Sequence, residues 1–357
     1  MYIDPIEQFQ IKGVYLEITS ACNLRCLHCY NESGDFKNSI SLNRIREIVD
    51  ELKTQRNTMI TISGGEPLLH SDIWKILDYI CRNEIQCLLI TNGTMIDKNA
   101  AKNLTELGIP VQVSLNGNQI QHDKLCGNGA YQKTMNGLQE LIKLGHQDVI
   151  IRGMISKANM DTIEDFLEFA FSMVNTVSLA MLSVMGRGKK IERDFDIDPF
   201  TKNKIVKRIH QFYIEKGYQE MQKSLDLSDE TFTNGCPLLY GENKKIDWNP
   251  RIDSKGKVFL CQMFDKEKYS IGNINEMTLR EILHSEKMNN LINYLSLSLN
   301  YIDQCITCVW KNSCGKGCIA QALGKYGIEH TDGDCSVRKH ICDYAGSQPG
   351  FPPRFSL

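Results

Sequence analysis

The sequence lacks the features that would place the protein in a membrane, outside the cell or on nucleic acid. No apolar run approaches the ~20 residues that span a bilayer, and the N-terminal residues lack the basic-then-apolar order of a secretory signal. The net charge of −2, from 41 basic and 43 acidic residues, argues against a broad surface for nucleic acid or anionic membranes. Internal repeats and low-complexity tracts are also missing. These absences predict a cytoplasmic, globular protein with no nucleic-acid or membrane partner.

Cysteine is the residue type in excess. The 357 residues include 14 cysteines, and ten of these fall into two spaced sets at opposite ends of the chain. Because the cytosol is reducing, clustered cysteines there bind metals or perform redox chemistry more often than they form disulfides. Composition therefore predicts a cytosolic metalloprotein.

Short β-branched runs alternate with amphipathic helical stretches through the first half of the chain. Strict alternation of this kind predicts a parallel sheet covered by helices. Six strand–helix units are too few to close an eight-stranded barrel, so we expect a partial (β/α)6 TIM-like barrel over residues 1–225. A small, cysteine-rich α+β domain is expected over 226–357, with one helix over 277–295. The predicted strands are 13–19, 58–63, 87–91, 111–115, 148–156 and 176–184.

Cys22, Cys26 and Cys29 directly follow the first predicted strand. Three thiolates within eight residues can converge on one metal centre, and the loop after a barrel strand lies where active sites form. A zinc ion would require a fourth protein ligand, for which His28 is the nearby candidate. A four-iron cluster with three ligands would instead keep one iron open. A zinc site and buried, unligated cysteines remain the alternatives to a cluster.

The C-x3-C-x2-C spacing resembles the signature of the radical S-adenosylmethionine (SAM) superfamily. This resemblance implies a [4Fe–4S] cluster whose open iron chelates SAM, so that an electron from the cluster produces a 5′-deoxyadenosyl radical. It also implies SAM contacts at later strand ends. Gly64, Gly65, Glu66 and Pro67 resemble the GGEP motif at the methionine amino group, and Asn92 and Ser114 resemble contacts to ribose and carboxylate. Arg152 is expected at the carboxylate, and a surface or structural arginine is the alternative. Adenine contacts are expected from His28, Tyr30 and Leu182.

The second cysteine set contains seven thiols, more than the four that one zinc ion uses. Two zinc ribbons are the plain alternative. The C-x2-C-x5-C-x3-C run, however, resembles the SPASM domain, which implies two auxiliary [4Fe–4S] clusters and three clusters in all. By this resemblance the second auxiliary cluster has the ligands Cys305, Cys308, Cys314 and Cys335. The first has Cys236, Cys261 and Cys318, with either an open iron or Cys342 as the fourth ligand.

Cys126 lies in a segment that we expect to be a loop after the fourth strand, near the active-site mouth. A thiol there could return a hydrogen atom to a substrate radical, and a structural role is the alternative. Cys81 and Cys87 are expected in the core, since an unligated cysteine behaves as a small hydrophobic residue.

The resemblance favours an enzyme that modifies a ribosomally made peptide by forming a thioether or carbon–carbon crosslink, or by epimerising a residue. Only 21 residues precede Cys22, so we expect a separate leader-binding protein, together with a flavodoxin- or ferredoxin-type electron donor. The alternatives are a radical enzyme acting on a small metabolite or free amino acid, an enzyme of the anaerobic sulfatase-maturating type, and a non-catalytic metal-binding scaffold.

Overall fold

A computed structural model describes residues 9–34, 37–55, 58–217, 246–264, 266–297, 302–308 and 317–325, together with 331, 333 and 335. The strands are β1 Phe9–Ile11, β2 Gly13–Thr19, β3 Met59–Gly64, β4 Gln86–Thr91, β5 Val111–Ser114, β6 Val149–Ile155, β7 Thr176–Met181, β8 Ile246–Trp248, β9 Arg251–Ile252, β10 Lys257–Phe259 and β11 Gly272–Asn273. The α-helices are α1 Leu42–Leu52, α2 Ile73–Arg82, α3 Lys98–Leu107, α4 Gln119–Cys126, α5 Ala130–Lys143, α6 Ile163–Met173, α7 Glu192–Phe195, α8 Pro199–Glu215, α9 Leu279–Leu283, α10 Glu286–Leu297, α11 Asp303–Ile306 and α12 Ile319–Lys325.

The predicted partial barrel is confirmed. Strands β2 to β7 lie side by side in chain order, all parallel, and helices follow each of them. Because side chains alternate along a strand, the sheet has one apolar and one more polar face. Leu16 and Ile18 of β2 are fully buried in the core that the helices cover. Tyr15 and Glu17 lie on the opposite, inner face, and that face leads to the carboxyl ends of the strands.

The C-terminal part of the chain extends the same sheet. Strand β9 pairs in parallel with the free edge of β2, and the antiparallel strands β10 and β11 follow it outward. The expected domain boundary near 225 lies outside the described residues. In the part of the chain that the structure describes, no helix is long and apolar enough to cross a membrane.

Two sequence predictions about helices are wrong. The helix expected over 277–295 is divided into α9 and α10, because the Ser285 hydroxyl accepts a hydrogen bond from the Met288 backbone N–H (3.1 Å) and so caps a new helix. Cys126 does not lie in a loop, since it is the last residue of α4. That helix begins with a capping box, in which Asn118 and Gln121 exchange side-chain to backbone hydrogen bonds.

Candidate active site

The loop after β2 carries the first three cysteines at the mouth of the partial barrel. All three are partly buried. The Cys22 sulfur accepts a hydrogen bond from the Leu24 N–H (3.4 Å), and the Cys29 thiol donates to Asn31 Oδ1 (3.0 Å). The Asn31 amide in turn donates to the carbonyl of Gly64 (3.0 Å). Asn31, which sequence reasoning missed, therefore links the last cysteine to the glycine motif after β3.

The glycine motif packs directly on the cysteine loop. The Gly65 N–H donates to the Thr19 carbonyl (2.7 Å), and the Glu66 N–H donates to the Ala21 carbonyl (2.8 Å). A Cβ added to Gly64 would lie 2.3 Å from the Thr19 oxygen, and one on Gly65 would lie 2.2 Å from the Ala21 oxygen. Both glycines are thus required for the close approach of the two backbones.

Glu66 joins this motif to the end of β4. Its side chain is fully buried, and it accepts hydrogen bonds from the Thr91 hydroxyl (2.7 Å), the Asn92 N–H (2.9 Å) and the Leu68 N–H (3.2 Å). Burial raises the pKa of Glu66, while these donors act in the opposite direction. The Asn92 amide also donates to Asn23 in the cysteine loop (3.0 Å). The structure therefore brings Glu66 and Asn92, two of the predicted SAM contacts, together.

A row of polar side chains crosses the inner face of the sheet from β5 to β7. Ser114 pairs with Arg152, and Arg152 pairs with Ser178, in the registers of β5, β6 and β7. The Arg152 guanidinium donates to the Ser178 hydroxyl (2.7 Å). Ser178 is nearly fully buried and holds Arg152 in place, a function that the sequence pattern did not indicate. Ser114 and Arg152 thus lie on neighbouring strands, which is consistent with their prediction as contacts to the same SAM molecule.

Arg187 also supports the cysteine loop. Its guanidinium donates to the carbonyls of Cys26 and Ser33 (2.9 Å each), and its N–H donates to the Cys29 carbonyl (2.9 Å). Gly186 has a φ of 48°, and a Cβ there would lie 2.2 Å from the Tyr30 carbonyl oxygen. The Gly-Arg-Gly pattern at 186–188, shortly after the last barrel strand, is the sequence signal for this support.

Cys126 lies against the cysteine loop. The ligand atoms of Cys26, His28 and Cys126 are all within 4.8 Å of one another. The Asn116 amide donates to the Cys126 sulfur (3.5 Å), and the Leu27 N–H donates to the Leu125 carbonyl at the end of α4 (2.8 Å). Among the described residues the buried His28 Nδ1 has no hydrogen-bond partner. Burial lowers the pKa of His28 to about 4, so the ring is neutral near pH 7.

The remaining predicted adenine contacts have different surroundings. Leu182 is buried in a small apolar cluster with Leu125, Cys126 and the partly buried Cys26. The Tyr30 hydroxyl points toward the inner face, where it donates to Glu17 Oε1 (2.7 Å). Leu182 therefore lies beside the cysteine loop, and the hydroxyl of Tyr30 is engaged by the protein.

The donor set of the loop fits an iron–sulfur cluster. Burial raises the pKa of Cys22 to about 11 and also raises the pKa of Cys29. The pKa of Cys26 is raised most by a hydrogen bond with Cys126 and next by burial. Thiols that ionise this poorly become thiolates when a bound cationic centre stabilises them. Three such thiols on one loop match the cysteine ligation of iron–sulfur clusters.

The C-terminal cysteines are only partly described. Cys305 and Cys318 are buried, and Cys261, Cys308 and Cys335 are partly buried. Cys236, Cys314 and Cys342 lie outside the described residues. The division of these cysteines between two auxiliary clusters therefore stays a prediction.

Comparison with protein families decides between the metal centres left open by the sequence. Residues 16–170 match the radical SAM superfamily, and residues 249–309 match the SPASM iron–sulfur cluster-binding domain. The chain contains a radical SAM domain. Its cofactors are accordingly iron–sulfur clusters and SAM, as the cysteine spacing predicted.

Relatives of this radical SAM protein match most of its length. The Fe-coproporphyrin III synthase of Methanosarcina barkeri is 28% identical, over 93% of this chain and 89% of its own. The mycofactocin maturase MftC of Mycolicibacterium smegmatis is 27% identical, over 85% of this chain and 77% of its own. The solved structure of anSMEcpe with bound AdoMet and the Cp18Cys peptide has the same fold, with a TM-score of 0.74, 20% identity and coverage of 94% of this chain and 96% of that one.

Proposed function

We propose that this radical SAM enzyme modifies a peptide, by forming a thioether or carbon–carbon crosslink or by epimerising a residue. The observation that carries the proposal is that the three-cysteine loop and the C-terminal cysteine domain lie on one continuous sheet. The anSMEcpe protein, which was solved with a bound peptide, shares this architecture across 94% of the present chain. A relationship to mycofactocin maturase supports the same substrate class.

The residues of the site divide into cluster ligands, cofactor contacts and supports. Cys22, Cys26 and Cys29 hold the first cluster, and Arg187 fixes the carbonyls of their loop. When bound, the cluster and SAM supply a 5′-deoxyadenosyl radical that abstracts a hydrogen atom from the substrate. Contacts to SAM are assigned to the glycine motif and to the row of Ser114 and Arg152. The cofactor carries the difficult chemistry, and the protein orients it and excludes water.

Metal analysis tests the radical enzyme against a zinc scaffold. We expect anaerobically reconstituted protein to contain about 12 irons per chain, as three four-iron clusters require. Reductant and SAM should then yield 5′-deoxyadenosine, and the Cys22→Ala/Cys26→Ala/Cys29→Ala variant should yield none. Zinc without iron would contradict the proposal.

Mass spectrometry tests the substrate class. The enzyme, SAM and reductant are incubated anaerobically with a peptide encoded beside the gene, a flavodoxin or ferredoxin and any adjacent leader-binding protein. A loss of mass equal to two hydrogen atoms identifies a crosslink. An unchanged mass in ordinary water, with uptake of deuterium from deuterated solvent, identifies epimerisation. An unmodified peptide, together with active SAM cleavage, would refute a peptide substrate.

Cys126 is proposed as the hydrogen-atom donor if the product is an epimer. The residue is 6% exposed, and its sulfur lies within 4.8 Å of the Cys26 sulfur. We expect Cys126→Ala to lose the deuterated epimer and to accumulate a by-product of the substrate radical. Cys87→Ala, which removes a buried thiol from the core, is the matched control. Normal epimer formation by Cys126→Ala would show that the thiol is structural.

A tetrapyrrole is the second candidate substrate. It is favoured by the relationship to Fe-coproporphyrin III synthase, which covers nearly the whole chain. Titration with iron porphyrins and with the peptide, monitored by visible absorption and mass spectrometry, separates the two classes. Conversion of the porphyrin without conversion of the peptide would replace the first proposal by the second.

A further inference from the structure

A buried ion pair joins the first barrel strand to the C-terminal domain. Glu17 of β2 is 3% exposed and Arg251 of β9 is 5% exposed. Arg251 Nε donates to Glu17 Oε1 (2.8 Å), and its Nη2 donates to Oε2 (2.9 Å). Burying two charges carries a large desolvation cost, which is offset only when the geometry is good. Arg251 meets this condition by donating to both carboxylate oxygens.

One end of this pair reaches the cluster loop through Tyr30, which directly follows Cys29. The Tyr30 hydroxyl donates to Glu17 Oε1 (2.7 Å) and lies 3.2 Å from the Tyr15 hydroxyl. The guanidinium carbon of Arg251 lies 5.7 Å from the centre of the Tyr30 ring, within the range of a cation–π contact. Both charges of the pair therefore contact the residue beside the last cysteine of the loop.

The other end reaches the second cysteine set. Arg251 Nη1 donates to the Phe264 carbonyl (2.8 Å), and the Phe264 N–H donates to the Cys261 carbonyl (3.2 Å). Cys261 is one of the expected auxiliary-cluster ligands. A single guanidinium thus contacts the barrel, the residue after Cys29 and the turn that contains Cys261.

We propose that Glu17 and Arg251 are positioning residues that fix Tyr30, and through it Cys29, and so couple the C-terminal cysteine domain to the first cluster. Without the guanidinium, the Glu17 carboxylate is buried with no counter-charge, and Tyr30 loses both a fixed acceptor and its cation–π contact. The cluster loop then has a different set of conformations and a different electrostatic environment. This role belongs to the step shared by the superfamily and does not depend on which substrate the enzyme uses.

The test measures the first cluster directly and uses no substrate. Reconstituted protein is poised at a series of potentials, and the EPR signal that changes on addition of SAM identifies the first cluster. We expect Arg251→Met to change the ratio of reduced to oxidised cluster about tenfold at a fixed potential, which is a shift of about 59 mV for one electron. Tyr30→Phe should shift the ratio in the same direction by less, and Arg251→Lys should restore part of it.

Arg208→Met is the matched control. Arg208 also donates to both oxygens of a glutamate, Glu164, but this pair is partly exposed and joins α8 to α6. We expect this variant to keep the wild-type ratio. Full iron content with a wild-type ratio in both Arg251→Met and Tyr30→Phe would overturn the proposal. If Arg251→Met does not fold, Tyr30→Phe decides alone, because it leaves both charges in place.

Hydrogen exchange supplies a readout that needs no cluster. In cluster-free protein we expect amides between residues 20 and 34 to exchange faster in Arg251→Met and Tyr30→Phe than in the wild type and in Arg208→Met. Unchanged exchange in both site variants would contradict the positioning role.

Discussion

At the scale of single residues, two glycines set how closely the cysteine loop and the segment after β3 approach each other. Gly64 has a φ of 138° and Gly145 a φ of 71°, and L-residues rarely adopt either value. Their surroundings differ, because a Cβ on Gly64 would meet the Thr19 oxygen at 2.3 Å, whereas one on Gly145 meets no described heavy atom within 4 Å. A comparison of alanine substitutions at the two positions therefore separates the effect of backbone strain from that of a steric clash.

We expect Gly64→Ala to lose the first cluster and Gly145→Ala to retain it. Both substitutions strain the backbone, at a cost of roughly 1–3 kcal/mol each, but only Gly64→Ala pushes the two loops apart. Iron content and the SAM-responsive EPR signal measure the outcome. Equal iron retention by the two variants would show that the close backbone contact is not needed for cluster binding.

The sequence indicated residues whose signal is local and missed those whose contacts are distant. Cys22, Cys26 and Cys29 lie within eight residues, so their spacing alone predicted a metal centre. The family match supplies the type of cofactor, and the assignment of these three residues as its ligands stays a prediction. Arg187 and Arg251 contact this region from 161 and 234 residues away along the chain. No periodicity or spacing rule reports such pairings, since they depend on which strand edges meet.

At the scale of elements, helix α4 supports the cysteine loop through its last turn. The Leu125 carbonyl accepts the Leu27 N–H (2.8 Å), and the start of the helix is held by the capping box of Asn118 and Gln121. The helix was not predicted because its buried residues are His122, Leu125 and Cys126, only one of which is strongly hydrophobic. Its capping residues, an Asn followed three positions later by Gln, were the signal that periodicity did not supply.

We expect Asn118→Ala to destabilise α4 by about 1 kcal/mol, as is typical for loss of an N-cap, and to weaken iron retention by the first cluster. Thr278→Ala removes the capping box of α9 and is the control, since it should cost similar stability and leave the first cluster unchanged. Urea unfolding of cluster-free protein gives the stability, and the SAM-responsive EPR signal gives cluster occupancy. Identical loss of that signal in both variants would argue for general instability instead.

At the scale of the whole molecule, a side chain of helix α1 joins the barrel to the C-terminal part, in addition to the shared sheet. Glu51 of α1 accepts the backbone N–H groups of Leu279 (3.1 Å) and Arg280 (2.7 Å) at the start of α9. A carboxylate at a helix N-terminus satisfies orphan donors and interacts favourably with the helix dipole. One barrel side chain therefore completes a helix of the other domain.

We expect Glu51→Gln to lower the free energy of unfolding by about 1 kcal/mol and to speed hydrogen exchange at 279–283. Asp50→Asn is the control on the same helix, because Asp50 pairs with the exposed Lys53 and accepts a hydrogen bond from the Tyr79 hydroxyl (2.9 Å), both within the barrel. Such pairs contribute ~0–1 kcal/mol, and exchange at 279–283 should stay unchanged. Wild-type exchange there in Glu51→Gln would contradict an inter-domain cap.

The pairing of β2 with β9 has a consequence for biosynthesis. Strands β2 to β7 are neighbours in chain order, so each can dock soon after it leaves the ribosome. The edge of β2 that pairs with β9 stays unpaired until β9 has been translated. An unpaired strand edge promotes aggregation. Since Arg251 arrives on that later strand, 234 residues after Glu17, we expect the cysteine loop to become a finished iron-binding site only after β9 has been synthesised.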